Sequence, residues 1–511
     1  MDIKNLYLNE CIYDHPFTVS SSTYRPNEYP SLVSDGHNKL KAKIAQYASV
    51  SVDNITITAG GDDAIELCVK EVFKTTVEKN RVIYKYNPSY GFINELGYKT
   101  YSVETPLENR HRAMALYEPP PGSIIYVCNP CNPTGDVWET DNYLQLCKKY
   151  PQCVVIVDEA YVDFYRLASP CDKVNIHPNL FYIRTFSKLF GIAGMRIGYL
   201  VHPSAFTSDY KFKKVLCVSK LHATKILDNL PFYQSIKDSV NKNIKQLGFA
   251  QAGNFIFIRP RIDQLVEFKQ EMKDKGVTVR YGYGNGVRIT INPYIQPDDL
   301  TYIESIVSRY NKVPDIRTFY TPIELRISLL KMLKQFMCVF GEKKWSWWVD
   351  GGTRLGAERH NAIIPWDDDI DIGIMEDHFT KNGVVDYTEF EEQLSKYFNL
   401  KRNRTDAYYQ ICDKSFDGHP NQTIHVDIFP YIVLDGYVVN NDERFRDPTD
   451  GEVNIKYKFA ELFPLRNVEF YDIEIPVPNG KLPDHFYNLE IRDKKGDGSK
   501  LLYFSDKVVM S

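Results

Sequence analysis

Residues 153–161 read CVVIVDEAY. Four consecutive β-branched residues run into an acid, Asp158, and an aromatic, Tyr161, follows three positions later. A strand that is apolar at every position is buried on both faces, as in a sheet covered by helices on either side. Working outward, similar runs occur at 54–58 (NITIT), 81–86 (RVIYKY), 123–129 (SIIYVCN), 180–186 (LFYIRTF) and 198–201 (GYLV). Amphipathic stretches such as 63–73 (DAIELCVKEVF) lie between them. The alternation predicts an α/β fold, with a large domain over about 30–245. From about 246 to 310 the runs NFIFIRP (254–260), VTVRYGYG (277–284) and VRITINP (287–293) predict a smaller α+β part.

The chain has 511 residues, which at roughly 150 per domain suggests about three domains. Hydrophobic residues make up 43% and charged residues 25%, which excludes a disordered, collagenous or coiled-coil chain. A net charge of −4 gives no bulk electrostatic grip on nucleic acid or anionic lipid. The ten cysteines are scattered, as expected of reduced thiols in the cytoplasm. Cys128 and Cys131 form a C-x-x-C without a second pair at zinc spacing, and read as incidental. The start, MDIKNLYLNE, lacks an apolar signal core, and no run nears the roughly 18 apolar residues of a membrane span. A cytoplasmic protein with no membrane span and no nucleic-acid partner is expected. The proline-bearing stretch 311–321 reads as a linker, and a helix is expected from near Pro322 with Thr321 as its N-cap. A second α/β unit, 322–511, follows.

A first set of chemistry-bearing residues is ordered along the first 310 residues. Thr58-Ala-Gly-Gly61-Asp62-Asp-Ala64 is a strand, a Gly-rich turn and a helix start. Pro88-Ser-Tyr90-Gly91, Asn132-Pro-Thr-Gly135, Asp158-Glu-Ala-Tyr161, Ser187-Lys188 and Arg196 follow. Each type has a task if the ligand is pyridoxal phosphate (PLP). A lysine amine bonds the cofactor, and a buried Asp keeps its ring nitrogen protonated so that the ring withdraws electrons. Backbone N–H groups at a helix start, with a Ser and an Arg, suit its phosphate. This set resembles the fold-type I PLP-dependent aminotransferases, in particular the histidinol-phosphate aminotransferase branch, over roughly 5–308. The resemblance implies a large α/β domain and a small α+β domain that also takes in the N-terminal segment. It implies that Lys188 carries the cofactor and that Asp158 pairs with the ring nitrogen. Asn132 and Tyr161 would bind the ring's phenolate oxygen, and Tyr90 would stack on the ring. Gly61, Asp62, Ser187 and Arg196 would hold the phosphate. Tyr29 would reach the phosphate of a second subunit, so a homodimer is expected. Arg288 would receive the substrate carboxylate, and Arg280 would be a second substrate arginine. The expected partners are a small amino donor and acceptor. Decarboxylation of an amino-acid phosphate is the alternative reaction, because the same branch includes it. The chain is short between Tyr199 and Asn254 by about one to two helices, and it reads Asn9-Glu10-Cys11 where the family tends to Asn-Pro.

A second set lies further on. Asp350-Gly-Gly352-Thr353-Arg-Leu-Gly-Ala357 precedes Arg359 and then Ile364-Pro-Trp-Asp367-Asp368-Asp369-Ile-Asp371. Two acids spaced i, i+2 on a strand point to the same side and repel unless a cation neutralises them. Carboxylates with phosphate oxygens suit Mg²⁺ or Mn²⁺. A later strand carries His425 and a third acid, Asp427. Such a set is how nucleotidyltransferase folds hold a metal-bound phosphate. The wording GGTRLGAERHNAIIPWDDDIDIGI with HVDIFP resembles the LicD family, which moves phosphocholine or related phospho-alcohols from CDP-activated donors to glycan hydroxyls. The resemblance implies a nucleotidyltransferase-like α/β domain with Asp369, Asp371 and Asp427 as metal ligands, and Asp427 as a candidate base. Gly352 and Thr353 would face the donor phosphates, and Arg359 would neutralise phosphate charge. The expected partners are a CDP-activated phospho-alcohol and a glycan acceptor. A nucleotidyltransferase acting on a small molecule or RNA is the alternative. His360 and His425 read as structural hydrogen-bonding residues rather than metal ligands, and Trp366 reads as packing.

Overall fold

The computed structural model describes residues 5–19, 36–208, 210, 214–250, 252–283, 286–313, 315, 317, 320–402, 408–414, 424–440, 456–480, 490–492 and 500–502. Tyr29 lies outside them.

The β-branched runs form a seven-stranded sheet in the order Ile55–Thr58, Gly198–Val201, Leu180–Thr185, Val154–Asp158, Ile124–Cys128, Val82–Asn87, Lys99–Glu104. Only Gly198–Val201 runs antiparallel to its neighbours. The other six strands therefore end at one edge, where ligands bind in open α/β sheets. The central strands are buried at almost every position, which is why they carry no polar alternation. The helix Gly61–Thr75 covers one face with Ala64, Ile65, Cys68, Val69 and Phe73. A smaller sheet has the order Asn5–Leu6, Thr278–Tyr283, Gly286–Thr290, Phe255–Ile258. The N-terminal strand thus joins the α+β part, in parallel register with Thr278 and Val279.

A separate sheet has the order Trp347–Val349, Asp369–Met375, His425–Leu434, Tyr409–Asp413, Phe398–Arg402, with Tyr437–Asn440 and Lys456–Lys458 added at one side. The helix Ile323–Lys343 packs on it. Pro322 rather than Thr321 is at its N-cap position, and the Thr321 N–H instead donates to the Pro365 carbonyl at 2.8 Å.

Two compact units emerge. One takes in the chain to Thr105 and from Pro119 to Asp315. The other takes in Pro106–Glu118 and the chain beyond the linker. Residues 106–118 therefore leave the first unit in sequence and pack in the second. There Arg112 pairs with Glu324 at 2.8 Å, Tyr117 meets the edge of Tyr471, and Glu118 bonds Lys334 at 2.7 Å.

Candidate active sites

In the first unit, the strand ends bring together residues far apart in sequence. Asp158 closes its strand and is buried. Its Oδ2 accepts from the Tyr126 hydroxyl at 2.5 Å and its Oδ1 from the Ala160 N–H at 3.1 Å. Burial pushes its carboxyl up to about 6, against those hydrogen bonds and the nearby Lys188 charge, which favour the ionised form. Lys188 follows the next strand, its Nζ 5.4 Å from the centre of the Tyr161 ring. Among the described residues Lys188 Nζ has neither a hydrogen bond nor an ion pair.

Asn132 and Tyr161 are oriented by partners the sequence did not suggest. Arg288 Nη1 donates to Asn132 Oδ1 at 2.6 Å, so the Asn132 amide must present its N–H₂ as donor. Asn9 Nδ2 donates to the Tyr161 oxygen at 2.9 Å, which leaves the Tyr161 O–H proton to point elsewhere. Asn9 Oδ1 is occupied by the Thr290 hydroxyl at 2.8 Å, and this fixes which end of the Asn9 amide faces Tyr161. Asn9 is wholly buried with φ of 53°, a left-handed conformation that Asn tolerates better than most residues. Sequence reading noted Asn9 only as a departure and missed this role. Its signal, a polar residue in an otherwise unremarkable segment, is visible only once the small sheet brings it to Tyr161.

The phosphate-side residues also converge. Asp62, in the first turn of its helix, accepts from Tyr90 O–H at 3.1 Å and from Arg196 Nη2 at 3.2 Å. The desolvated Tyr90 phenol, beside that carboxylate, is held well above the usual tyrosine range. Gly60 has φ of 101°, and a Cβ there would sit 3.0 Å from Arg196 Nη2. Glycine is what lets the guanidinium close over the helix start. Ser187 Oγ accepts from Thr185 Oγ1 at 2.9 Å. Arg280 and Arg288 are cross-strand partners. Arg288 Nη2 also reaches the Tyr7 carbonyl at 2.6 Å, and Arg280 lies 4.8 Å from the centre of the Tyr7 ring.

In the second unit, Asp350 caps the helix Gly351–His360 by accepting from Gly351 N–H at 3.0 Å. The Gly-Gly pair is therefore the first turn of a helix rather than a free turn. The Tyr431 and Tyr457 hydroxyls each donate to Asp350 at 2.6 Å and hold that cap. The Gly352 N–H donates to Asp371 Oδ2 at 3.1 Å, and Thr353 Oγ1 accepts the Asp371 N–H at 2.8 Å. The Thr353 hydroxyl is thus turned to the strand. Asp371 and Asp427 are register partners on adjacent parallel strands, as are Asp369 and His425. Burial, then the charges of Asp369, Asp367, Asp350 and Asp427, pushes the Asp371 carboxyl well above its usual range. Arg359 lies two turns beyond Gly352, roughly 10 Å along the helix axis. Trp366 packs on Leu355 and Ile364.

Residues 26–248 match the family model Aminotransferase class I and II, and residues 344–480 match LicD/FKTN/FKRP, nucleotidyltransferase domain. The chain is an aminotransferase domain joined to a LicD domain. The aminotransferase domain is 28% identical over 311 residues to an aromatic amino acid aminotransferase of Corynebacterium jeikeium, covering 55% of this chain and 81% of that one. It is 27% identical over 299 residues to a histidinol-phosphate aminotransferase of Thermoanaerobacter, covering 52% and 80%. Among solved structures, one of a histidinol-phosphate aminotransferase described as putative, from Erwinia carotovora atroseptica, superposes with a TM-score of 0.46 at 23% identity, covering 60% of this chain and 94% of that one. The aminotransferase domain belongs to the PLP-dependent transferases, and its strand-end residues fit that cofactor. A lysine amine that makes no hydrogen bond or ion pair among the described residues stands near a buried carboxylate, and a glycine cradle opens under an arginine. No helix of the described residues is long and apolar enough to cross a membrane.

Proposed function

We propose that the chain is a bifunctional enzyme. Its aminotransferase domain acts on a small amino acid or amino-alcohol phosphate. Its LicD domain uses Mg²⁺ or Mn²⁺ to move a phospho-alcohol, such as phosphocholine, from a CDP donor to a glycan hydroxyl. The observation that carries the reading is the coexistence, in one chain, of two separate sets of ionisable groups, each built round a carboxyl that desolvation pushes up. Asp158 with Lys188 is one and the acids around Asp371 are the other. A non-catalytic fold gains nothing from desolvating carboxylates in this way.

In the first site Lys188 would bond PLP, Asp158 would hold the proton on the ring nitrogen, and Asn132 N–H₂ and Tyr161 O–H would donate to the phenolate oxygen. Gly61, Asp62, Ser187 and Arg196 would hold the phosphate, with Tyr90 on the ring face and Tyr29 reaching across a dimer. PLP, when bound, withdraws electrons from the bonds at the substrate α-carbon. With the cofactor in place, the Lys188 amine would be the base placed to move the substrate α-proton. Arg288 would fork onto the substrate carboxylate, and Arg280 beside it would take a second anionic group. In the second site Asp369, Asp371 and Asp427 would surround the cation. The helix start that carries Gly352 and Thr353 would lie toward the donor phosphates, and Arg359 would supply further positive charge.

The test is the visible spectrum of the PLP-loaded protein before and after O-phosphoserine or histidinol phosphate, with product masses. Conversion to the amino form of the cofactor, with a keto product, supports transamination. Release of carbon dioxide with the original band restored establishes decarboxylation instead. For the LicD domain, labelled CDP-choline and labelled nucleoside triphosphates are offered in parallel. Label transfer from the triphosphates alone overturns the phospho-alcohol reading.

A further inference from the structure

This inference rests on the metal-dependent reading of the LicD domain and names one of its ligands. Asp369–Met375 and His425–Leu434 run parallel, with Asp369 opposite His425 and Asp371 opposite Asp427. Residues two apart on a strand share a face, and neighbouring strands lie about 4.8 Å apart. The four side chains therefore form a two-by-two patch on one face of the sheet. Within it, one donor atom from each of Asp369, His425 and Asp427 lies within 4.8 Å of the other two. His425 Nε2 is 3.5 Å from Asp427 Oδ1. Asp371 is differently engaged, its Oδ2 being taken by the Gly352 N–H at the helix start. An ion pair with Asp427 accounts for one contact of the imidazole. It does not account for the ladder setting the same ring directly across from a second carboxylate, Asp369. Two oxygens and a nitrogen converging from two rigid strands are the donor set of a mixed-ligand metal site, and they lie inside the stretch matched to the nucleotidyltransferase domain.

We propose that His425 is a metal ligand together with Asp369 and Asp427, and that its nitrogen makes the site favour Mn²⁺ over Mg²⁺. Mg²⁺ demands near-ideal octahedral oxygen coordination, whereas imidazole suits first-row transition ions. The probe is Mn²⁺ alone, added to the full-length protein and followed by pulsed electron paramagnetic resonance and by calorimetric competition with Mg²⁺. A directly bound imidazole imposes nitrogen modulation on the Mn²⁺ signal. The wild-type protein is expected to show that modulation. His425→Gln is expected to lose it, and to bind Mn²⁺ roughly tenfold or more weakly with a smaller change for Mg²⁺. An intact PLP band in the same sample controls for folding of the chain, and circular dichroism controls for the LicD domain. Bound Mn²⁺ without nitrogen modulation, or an unchanged Mn²⁺-to-Mg²⁺ ratio in His425→Gln, overturns the assignment of His425 and leaves the metal-dependent reading standing. Absence of Mn²⁺ binding by the wild-type protein overturns both.

Discussion

Asp158 illustrates how far one side chain can be read before and after the fold is known. Its place at the end of an apolar run marked it as a buried acid in the sequence. The Tyr126 hydroxyl and Ala160 N–H that hold it were not legible, because they come from a neighbouring strand and from a turn. Its raised carboxyl has a consequence for the cofactor-free protein. The folded form binds a proton up to about pH 6, the unfolded form only up to its ordinary value of 3.8. Between these values the folded state holds more protons, so this group makes stability fall as pH rises from about 4 to about 6. Asp158→Asn should therefore leave stability unchanged below pH 4 and raise it at pH 7 by up to roughly 3 kcal/mol, while weakening PLP binding. Denaturant midpoints of the apoprotein across that range check the sign. Lys188→Ala should abolish the visible band of the lysine-bound cofactor, whereas Asp369→Asn should spare it and stop label transfer. A band retained by Lys188→Ala would sink the site map. Asn9 shows the limit of such reading, since a buried amide that orients Tyr161 across 152 positions has no local signature.

Local periodicity disclosed some elements and hid others. The Asp369-x-Asp371 spacing was enough to put two carboxylates on one strand face, because strand side chains alternate with period two. Which strand would lie beside them, and in what register, is a non-local fact that alternation does not encode. The helix after Asp350 is a similar case. A Gly-Gly pair ordinarily reads as a turn, yet Asp350 caps it and two tyrosines from later strands hold Asp350 in place. Gly351 has φ of 48°, and a Cβ there would collide with Asp371 Oδ2. Gly351→Ala should therefore displace the helix start from the acids and abolish LicD transfer, with the PLP band of the same protein unchanged. Tyr457→Phe removes one hydrogen bond to a buried carboxylate. It should lower the unfolding free energy of the LicD domain by roughly 1–3 kcal/mol, measured by denaturant titration. Equal stability of the two proteins would mean that Tyr431 alone secures the cap.

The division of the chain was legible in its linker but not in its exception. Composition marks 311–321 as a break between two α/β patterns, whereas nothing in Pro106–Glu118 announces that it packs with the later unit. Ala113, Met114, Leu116 and Tyr117 of that segment are buried there, beside the helix Ile323–Lys343. A fragment ending at residue 315 should expose them. It should bind a hydrophobic dye more strongly than the full chain and aggregate at lower temperature, both readable by fluorescence and light scattering. The same segment bears on how the protein is made. At about 5–20 residues per second, the helix that covers Leu116 leaves the ribosome roughly ten to forty seconds after Leu116 itself. During that interval a strip of apolar side chains waits uncovered on a nascent polypeptide. Synthesis rate and chaperone supply should therefore govern how much of this protein a cell obtains in usable form.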